Sequence, residues 1–184
     1  MQITARRNLG FTLIELVITV AVVAVLLATA MPAFGSLSQS TKAQTARSTL
    51  SAALGTARLA AVSRTSSIVV CPSRDQQYCG RTTEWQHGWL VFVDSDSDGA
   101  RDAGEELLEA SQAQPEGVAI LSSTGRMRIS YHADGSSPGS NITLTVCDRR
   151  GAGHASALII NNAGRVRSGT PSDVAAAACV GAIH

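Results

Sequence analysis

A long apolar run that contains a single carboxylate constrains this chain more than any other feature. The run extends from Phe11 to Phe34, and its one charged residue is Glu15. A charge costs roughly 2.5–3.5 kcal/mol or more at the centre of a bilayer, so an acid in such a segment needs a partner of opposite charge. Cleavage after Gly10 would supply one, because Phe11 would then carry a positive amine one helical turn from Glu15, or near the Glu15 of a neighbouring subunit. The sequence therefore predicts a segment that both anchors the protein and docks it into an assembly.

The residues around this cleavage site form a specific signature. A basic leader ends in Arg6-Arg7-Asn8-Leu9-Gly10 and is followed by Phe11-Thr12-Leu13-Ile14-Glu15. This pattern resembles the amino termini of type IV pilins and type II secretion pseudopilins. The resemblance implies that a prepilin peptidase removes residues 1–10 and N-methylates Phe11, and that Glu15 organises assembly with other pilins. The alternative is an ordinary signal anchor or secretory signal, which needs no acid at this position.

The sequence predicts α+β architecture. Residues 11–33 can cross a bilayer or form a filament core as a helix, which Pro32 should bend without ending. Small apolar residues recur at helical spacing through residues 34–64, which predicts an amphipathic half packed on a sheet. Residues 65–184 change to short β-type runs separated by glycine-rich turns, which indicates antiparallel sheets. The predicted strands are Ser67–Cys71, Gly88–Asp94, Glu106–Ala110, Val118–Ser122, Met127–His132, Asn141–Cys147, Ala155–Asn161 and Arg165–Arg167.

Four short motifs in the β-rich part indicate which family of pilin-like proteins the chain resembles. They are Cys71-Pro72-Ser73, Gly88-Trp89-Leu90-Val91-Phe92 before an aspartate-rich loop, Val146-Cys147-Asp148 before Arg149-Arg150-Gly151, and Gly164-Arg165-Val166-Arg167. In this order, after a prepilin signature, they resemble the GspH/FimT family of minor pilins and pseudopilins. The resemblance implies a pilin-like fold and a single pass through the bacterial inner membrane, with the β-rich domain in the periplasm. It also implies incorporation into a pilus or pseudopilus.

The motif at 164–167 is the sharpest candidate for a binding site. On a strand, Arg165 and Arg167 point to the same side about 7 Å apart, roughly the spacing of successive phosphates. Gly164 allows the preceding turn to approach a surface closely, and Arg149-Arg150 in another glycine-rich loop is expected to extend the patch. In the FimT-type minor pilins that the chain resembles, Gly-Arg-x-Arg at this place marks a surface that binds double-stranded DNA in natural transformation.

Charge along the chain is compatible with this interpretation, although the whole sequence carries only +1. Nine acids and one base lie between Glu84 and Glu116, whereas six arginines and two acids lie between Arg126 and Arg167. This asymmetry favours an anionic partner for the C-terminal part. The alternative is that the arginines are merely solvated, or that the acidic and basic parts neutralise each other in the fold.

Four cysteines suit a domain outside the cytoplasm, where disulfides form. Three pairings are possible, and we favour Cys71–Cys79 as a local clamp with Cys147–Cys179 as a tie between the C-terminal tail and the core. No Cys-x-x-Cys spacing occurs in the sequence, so neither a zinc site nor a redox motif is expected.

An acidic loop fits the calcium-loop pattern completely. Asp94, Asp96, Asp98 and Glu105 occupy the ligand positions, and Gly99 occupies the turn position. The residues on either side of the loop are predicted to form strands and not the helices of an EF-hand. A solvated acidic turn is therefore the alternative to a calcium site. The sequence offers no other cofactor site, and it contains no nucleophile motif that would indicate catalysis.

The sequence therefore predicts a non-enzymatic minor type IV pilin. It is expected to be processed by prepilin peptidase, to join other pilins and to bind DNA during natural transformation. The main alternative is a GspH-like minor pseudopilin of a type II secretion system, which has no DNA-binding role. A calcium-regulated adhesin subunit is a third interpretation.

Overall fold

The computed structural model describes residues 11–183, except for the side chains of residues 29–33. The chain divides into two compact units, one up to Ser38 and the other from Gln39 onward. Helix α1 extends from Leu13 to Arg64, within two residues of its predicted bounds. The predicted leader, with Gly10, lies outside the described residues.

The first unit is a stretch of α1 with exposed apolar side chains. From Phe11 to Leu27, the large apolar residues are all at least half exposed. No helix among the described residues combines the length and the hydropathy that a membrane crossing needs. The predicted segment at 11–33 includes the side chains that are not described, and its membrane role stays a prediction.

The second unit contains two four-stranded antiparallel sheets. The strands are β1 Ile68–Pro72, β2 Trp89–Val93, β3 Leu107–Ser111, β4 Val118–Ser122, β5 Ile129–Tyr131, β6 Ile142–Asp148, β7 Ser156–Ile160 and β8 Val166–Gly169. The first sheet has the order β3-β2-β1-β5 and the second β4-β6-β7-β8. A 3-10 turn at Ala152–His154 precedes β7, and helix α2 at Asp173–Gly181 ends the described chain. The α+β class and the antiparallel sheets are confirmed.

The inner faces of both sheets and one face of α1 form a single core. From Ala43 to Ala61, every third or fourth residue of α1 is buried there, and most of these residues are alanine, which allows the helix backbone to approach the sheets closely. The helix contributes Ala43, Ala46, Leu50, Ala53, Leu54, Ala57 and Ala61. Strand alternation sends Ile68 and Val70 into this core and leaves Val69 and Cys71 on the other face of the first sheet.

Both favoured disulfides are present. Cys71–Cys79 joins β1 to the loop that follows it, and Cys147–Cys179 joins β6 to α2. The second bond lies in a small apolar cluster with Ala119, beneath α2 on the outer face of the second sheet. Helix α2 was not predicted from the sequence, although the disulfide that holds it was.

Candidate functional site

The two motif arginines lie at the edge of the second sheet. Strand β8 pairs with β7, with Arg167 opposite Ile159 and Val166 opposite Ile160. Because Val166 packs against the core, alternation places Arg165 and Arg167 on the other side of the strand, where both are exposed. Neither guanidinium forms an ion pair or a hydrogen bond with the described part of the chain.

Gly164 has a structural role that differs from the predicted one. It is buried, adopts φ +70°, and a Cβ atom built there would lie 2.1 Å from the carbonyl oxygen of Gly135. Its N–H donates to the carbonyl of Asn161, whose side-chain oxygen accepts the N–H of Arg165. Gly164 does allow a close approach, as expected, but the surface that its turn approaches is the protein's own loop at Gly135.

Arg150 does not belong to a phosphate-binding patch, which corrects the prediction. Its Nε and Nη2 atoms donate to the two oxygens of Asp148 at 2.9 and 2.8 Å, and the Asp148 side chain is fully buried. Burial alone would raise the pKa of Asp148, but the hydrogen bonds from the side chain and backbone of Arg150 outweigh it and hold the pKa below its usual value. The guanidinium is therefore committed to neutralising a buried carboxylate.

Arg149 is exposed but stands far from the motif. Its Nη2 atom lies 3.7 Å from Glu116, a loose surface pair. Arg149 follows the end of β6, whereas Arg165 is level with the beginning of that strand, because Ile142 pairs with Ile160 and Ile160 pairs with Val166. At about 3.3 Å per residue, roughly 20 Å separates them along the strands. The predicted continuous patch is therefore wrong.

Two arginines of α1 that the sequence did not single out, Arg47 and Arg58, lie next to β8. The Nη1 atom of Arg47 is 3.4 Å from the hydroxyl of Ser168. Arg58 donates from Nε to the carbonyl of Gly135 at 2.8 Å and from Nη2 to the carbonyl of Ala163 at 3.3 Å. One feature of the sequence could have indicated a basic surface on this helix, because α1 has no acid after Glu15.

The acidic loop brings together three of its four predicted calcium ligands. One oxygen each of Asp94, Asp96 and Asp98 lie within 4.8 Å of one another. Burial, followed by the neighbouring carboxylates, raises the pKa of Asp94 despite the N–H donated by Gly99. Such oxygens suit calcium. Glu105 is not one of these three, although it lies beside the loop: its carboxylate accepts the N–H groups of Ser95 and Asp102, and its charge contributes to the raised pKa of Asp94.

The acids between Glu84 and Glu116 form ion pairs with arginines other than Arg165 and Arg167. Arg64 pairs with Glu106 at 2.6 Å, and Arg74 pairs with Glu84 at 2.7 Å. Among the residues from 11 to 183, the acidic loop therefore does not neutralise Arg165 or Arg167. The interpretation in which the motif serves an internal charge balance is not supported.

The predicted assembly residues lie at the start of α1. Phe11 is 87% exposed, and the hydroxyl of Thr12 accepts the N–H of Glu15 in the first helical turn. Such a side-chain oxygen satisfies one of the free N–H groups at a helix start. The Glu15 carboxylate is exposed there, near the positive end of the helix dipole.

Comparisons with known proteins agree with this architecture. Residues 46–164 match the family described as type II transport protein GspH, and residues 5–31 match the prokaryotic N-terminal methylation motif. No curated protein sequence gives a match. In two crystal forms, the type IV minor pilin FimU of Pseudomonas aeruginosa has a similar fold, with TM-scores of 0.53 and identities of 20% and 21%. These alignments cover 71% and 68% of this chain and 89% and 91% of the FimU chains.

The minor pseudopilin EpsH from the type 2 secretion system of Vibrio cholerae aligns with a TM-score of 0.49 and 12% identity, over 71% of this chain and 98% of EpsH. The GspH match alone extends over more than half of the sequence, and the methylation motif precedes it. The chain therefore belongs to the GspH family.

Proposed function

We propose that this chain is a minor type IV pilin that binds double-stranded DNA through the phosphates, using Arg165 and Arg167, during natural transformation. The observation that carries the proposal is the pair of exposed guanidiniums at an edge strand, with Arg167 on β8 and Arg165 directly before it, and neither has a carboxylate partner in the described structure. Two unpaired cations about 7 Å apart suit a polyanion whose charges are closely and regularly spaced.

Binding through this surface should not depend on sequence. The two tryptophans, Trp85 and Trp89, are fully buried in the core and are not available for stacking on bases. Phosphate contacts position a protein on DNA but do not read its sequence. Each contact that releases a counterion should add about −0.9 to the slope of log K against log salt.

The amino terminus supplies the assembly function. In this proposal prepilin peptidase cuts after Gly10 and methylates Phe11, and Glu15 pairs with the new amine as the subunit joins other pilins in the pilus. Before assembly, α1 anchors the protein in the inner membrane with its sheets in the periplasm. The matched methylation motif and the exposed apolar side chains of α1 support this route. The protein itself performs no catalysis.

The test uses the full chain in a non-ionic detergent and a fluorescent 30-base-pair duplex. We expect anisotropy to report binding at low salt, and we expect R165Q/R167Q to lose it while keeping the thermal unfolding curve of the unaltered protein. The control R64Q/R74Q removes two positive charges whose guanidiniums already pair with Glu106 and Glu84. Equal losses in both double variants, or no loss in R165Q/R167Q, would contradict the proposal.

The description of the matched family favours a second candidate, a minor pseudopilin of type II secretion. In that role the sheets would contact other pseudopilins, and the exposed arginines would be ordinary solvated side chains. Full-chain protein that fails to bind the duplex even at low salt, together with a secretion defect in cells that lack it, would favour this candidate over the minor pilin.

A further inference from the structure

We propose that the DNA-binding surface has a second row of cations on α1, formed by Arg47 and Arg58. Strand β8 then lies between two rows of arginines, and one duplex contacts both rows, each through a different strand. This inference rests on the proposed function and extends it. Nothing in the sequence motif or the family match assigns a role to either α1 residue.

Arg47 lies beside the C-terminal part of β8. Its Nη1 atom is 3.4 Å from the hydroxyl of Ser168, the neighbour of Arg167 in the chain. Alternation turns Ser168 to the side opposite Arg167, toward α1. Arg47 is half-buried, and no described carboxylate pairs with it, so its charge remains available next to the strand.

Arg58 lies beside the beginning of β8. It donates to the carbonyls of Gly135 and Ala163, and Ala163 precedes Arg165 by two residues. Carbonyl groups fix the direction of the guanidinium but do not cancel its charge. Each motif arginine therefore lies within two residues, along the chain, of a residue that an α1 arginine contacts.

A groove joins the two α1 arginines. One depression beside Arg47 is lined by Ser51 and Ser168, and a second beside Arg58 is lined by Ser51 and Gly164, so the two meet at Ser51. We call this feature the α1–β8 groove. Between Arg47 and Arg58, the helix residues that line it are all small, which lets a backbone approach. The eleven residues from Arg47 to Arg58, at 1.5 Å rise each, give this part a length of about 16 Å.

Arginines outnumber acids in and around the α1–β8 groove, so the net charge there is positive. Helix α1 has no acid from Leu16 to Arg64, and the chain has none between Asp148 and Asp173. The acid on the loop that Arg58 contacts is Asp134, whose carboxylate accepts the N–H of Ser136. Four arginines that lack carboxylate partners focus a positive potential on this edge of the protein.

The spacing of the two rows suits a duplex better than a single strand. Arg165 and Arg167 project from the outer side of β8, whereas Arg47 and Arg58 lie on its inner side, about one packed layer or ~10 Å away. The major groove of B-DNA is about 12 Å wide and is bordered by a phosphate chain on each side. A single strand offers only one such chain, so it leaves one row without phosphates.

The test measures anisotropy of the full chain with a 30-base-pair duplex and with one of its strands, over a series of salt concentrations. Four contacts predict a duplex slope near −3.6, and R47Q should make it shallower by about 0.9. R47Q loses only a single long hydrogen bond, so the fold should persist. S51R places an additional cation in the middle of the α1–β8 groove and should make the slope steeper by a similar amount. R64Q, at the far end of α1, is the matched control and should leave the slope unchanged.

The outcomes separate this inference from the function on which it rests. A wild-type slope in R47Q, with binding still lost in R165Q/R167Q, would overturn the second row and leave the proposed function intact. An equal effect of R47Q on duplex and single strand would overturn the two-strand geometry. No duplex binding by the unaltered protein would remove the proposed function as well.

Discussion

Two adjacent arginines show how a carboxylate partner decides what a residue does. Arg150 forms two side-chain hydrogen bonds with the buried Asp148. The Arg149 side chain is 53% exposed, and its nearest carboxylate, that of Glu116, lies 3.7 Å away. A guanidinium that neutralises a buried charge is part of the fold. One that faces water without a close partner is free to bind an anion. The same distinction separates Arg150 from Arg165 and Arg167.

We expect R150Q to destabilise the protein much more than R149Q. Removing one partner of a buried pair typically costs about 3–5 kcal/mol, because the other charge stays buried without compensation. Removing one partner of an exposed pair typically costs about 0–1 kcal/mol. Urea unfolding of the two single variants measures the difference, and similar midpoints would show that Asp148 does not depend on Arg150.

The same pair predicts a pH dependence. The pKa of Asp148 is lower in the folded protein than its usual value of 3.8, because the hydrogen bonds from Arg150 outweigh the effect of burial. The ionised carboxylate therefore contributes stability above that usual pKa, and the contribution is lost as pH falls through the lowered folded value. We expect the free energy of unfolding to fall less steeply below about pH 4 in D148N than in the unaltered protein. If the free energy of unfolding fell equally steeply with pH in the two proteins, the prediction would be contradicted.

Gly164 gives a residue-scale prediction about the motif itself. An alanine at a left-handed position costs roughly 1–2 kcal/mol. Gly139 has a similar φ of +73° and no atom within 4 Å of a built Cβ, so G139A should show only that cost. G164A should cost more, because its Cβ meets the Gly135 carbonyl oxygen at 2.1 Å. Thermal unfolding compares them, and equal losses would mean that the turn relaxes freely.

At the scale of elements, α2 depends on its disulfide. Its start is capped by Ser172, whose hydroxyl accepts the N–H of Ala175, and of its nine residues Ala176 and Cys179 are buried. So short a helix is marginal alone. The Cys147–Cys179 bond supplies the covalent link that holds it on the second sheet.

The length of the loop that each disulfide closes predicts which of the two contributes more to stability. The bonds close loops with sequence separations of 32 and 8 residues. Chain entropy gives about 3.7 kcal/mol for the longer loop and about 2.5 kcal/mol for the shorter. We expect C147A/C179A to lose about 1 kcal/mol more stability than C71A/C79A in urea unfolding. The reverse order would mean that packing around Cys71, and not loop closure, dominates.

The elements also show what local sequence determines. All eight predicted strands lie within two residues of the observed ones, because β-branched runs and glycine turns act locally. Ser172, Asp173 and the alanines that follow were available as a helix-start signal, yet α2 was missed. Strand order is a tertiary property, so the distance between Arg149 and Arg165 was not predictable. The position of Arg47 beside Ser168 was not predictable for the same reason.

At the scale of the whole molecule, the two units carry different proposed roles. The unit up to Ser38 contains Glu15 and the exposed apolar face, and the unit from Gln39 contains the motif arginines and the α1–β8 groove. Assembly and DNA binding should therefore be separable by mutation.

We expect E15A and R165Q/R167Q to have opposite effects. E15A removes the proposed partner of the Phe11 amine, so subunits should be missing from sheared pili while the purified chain still binds the duplex. R165Q/R167Q leaves that partner in place, so pili should still contain the subunit while duplex binding and transformation frequency fall together. Immunoblots of sheared pili, anisotropy and transformation counts measure the three quantities in the same strains. A loss of the R165Q/R167Q subunit from pili would show that the arginines serve assembly, since a surface that only binds DNA has no part in joining one subunit to the next.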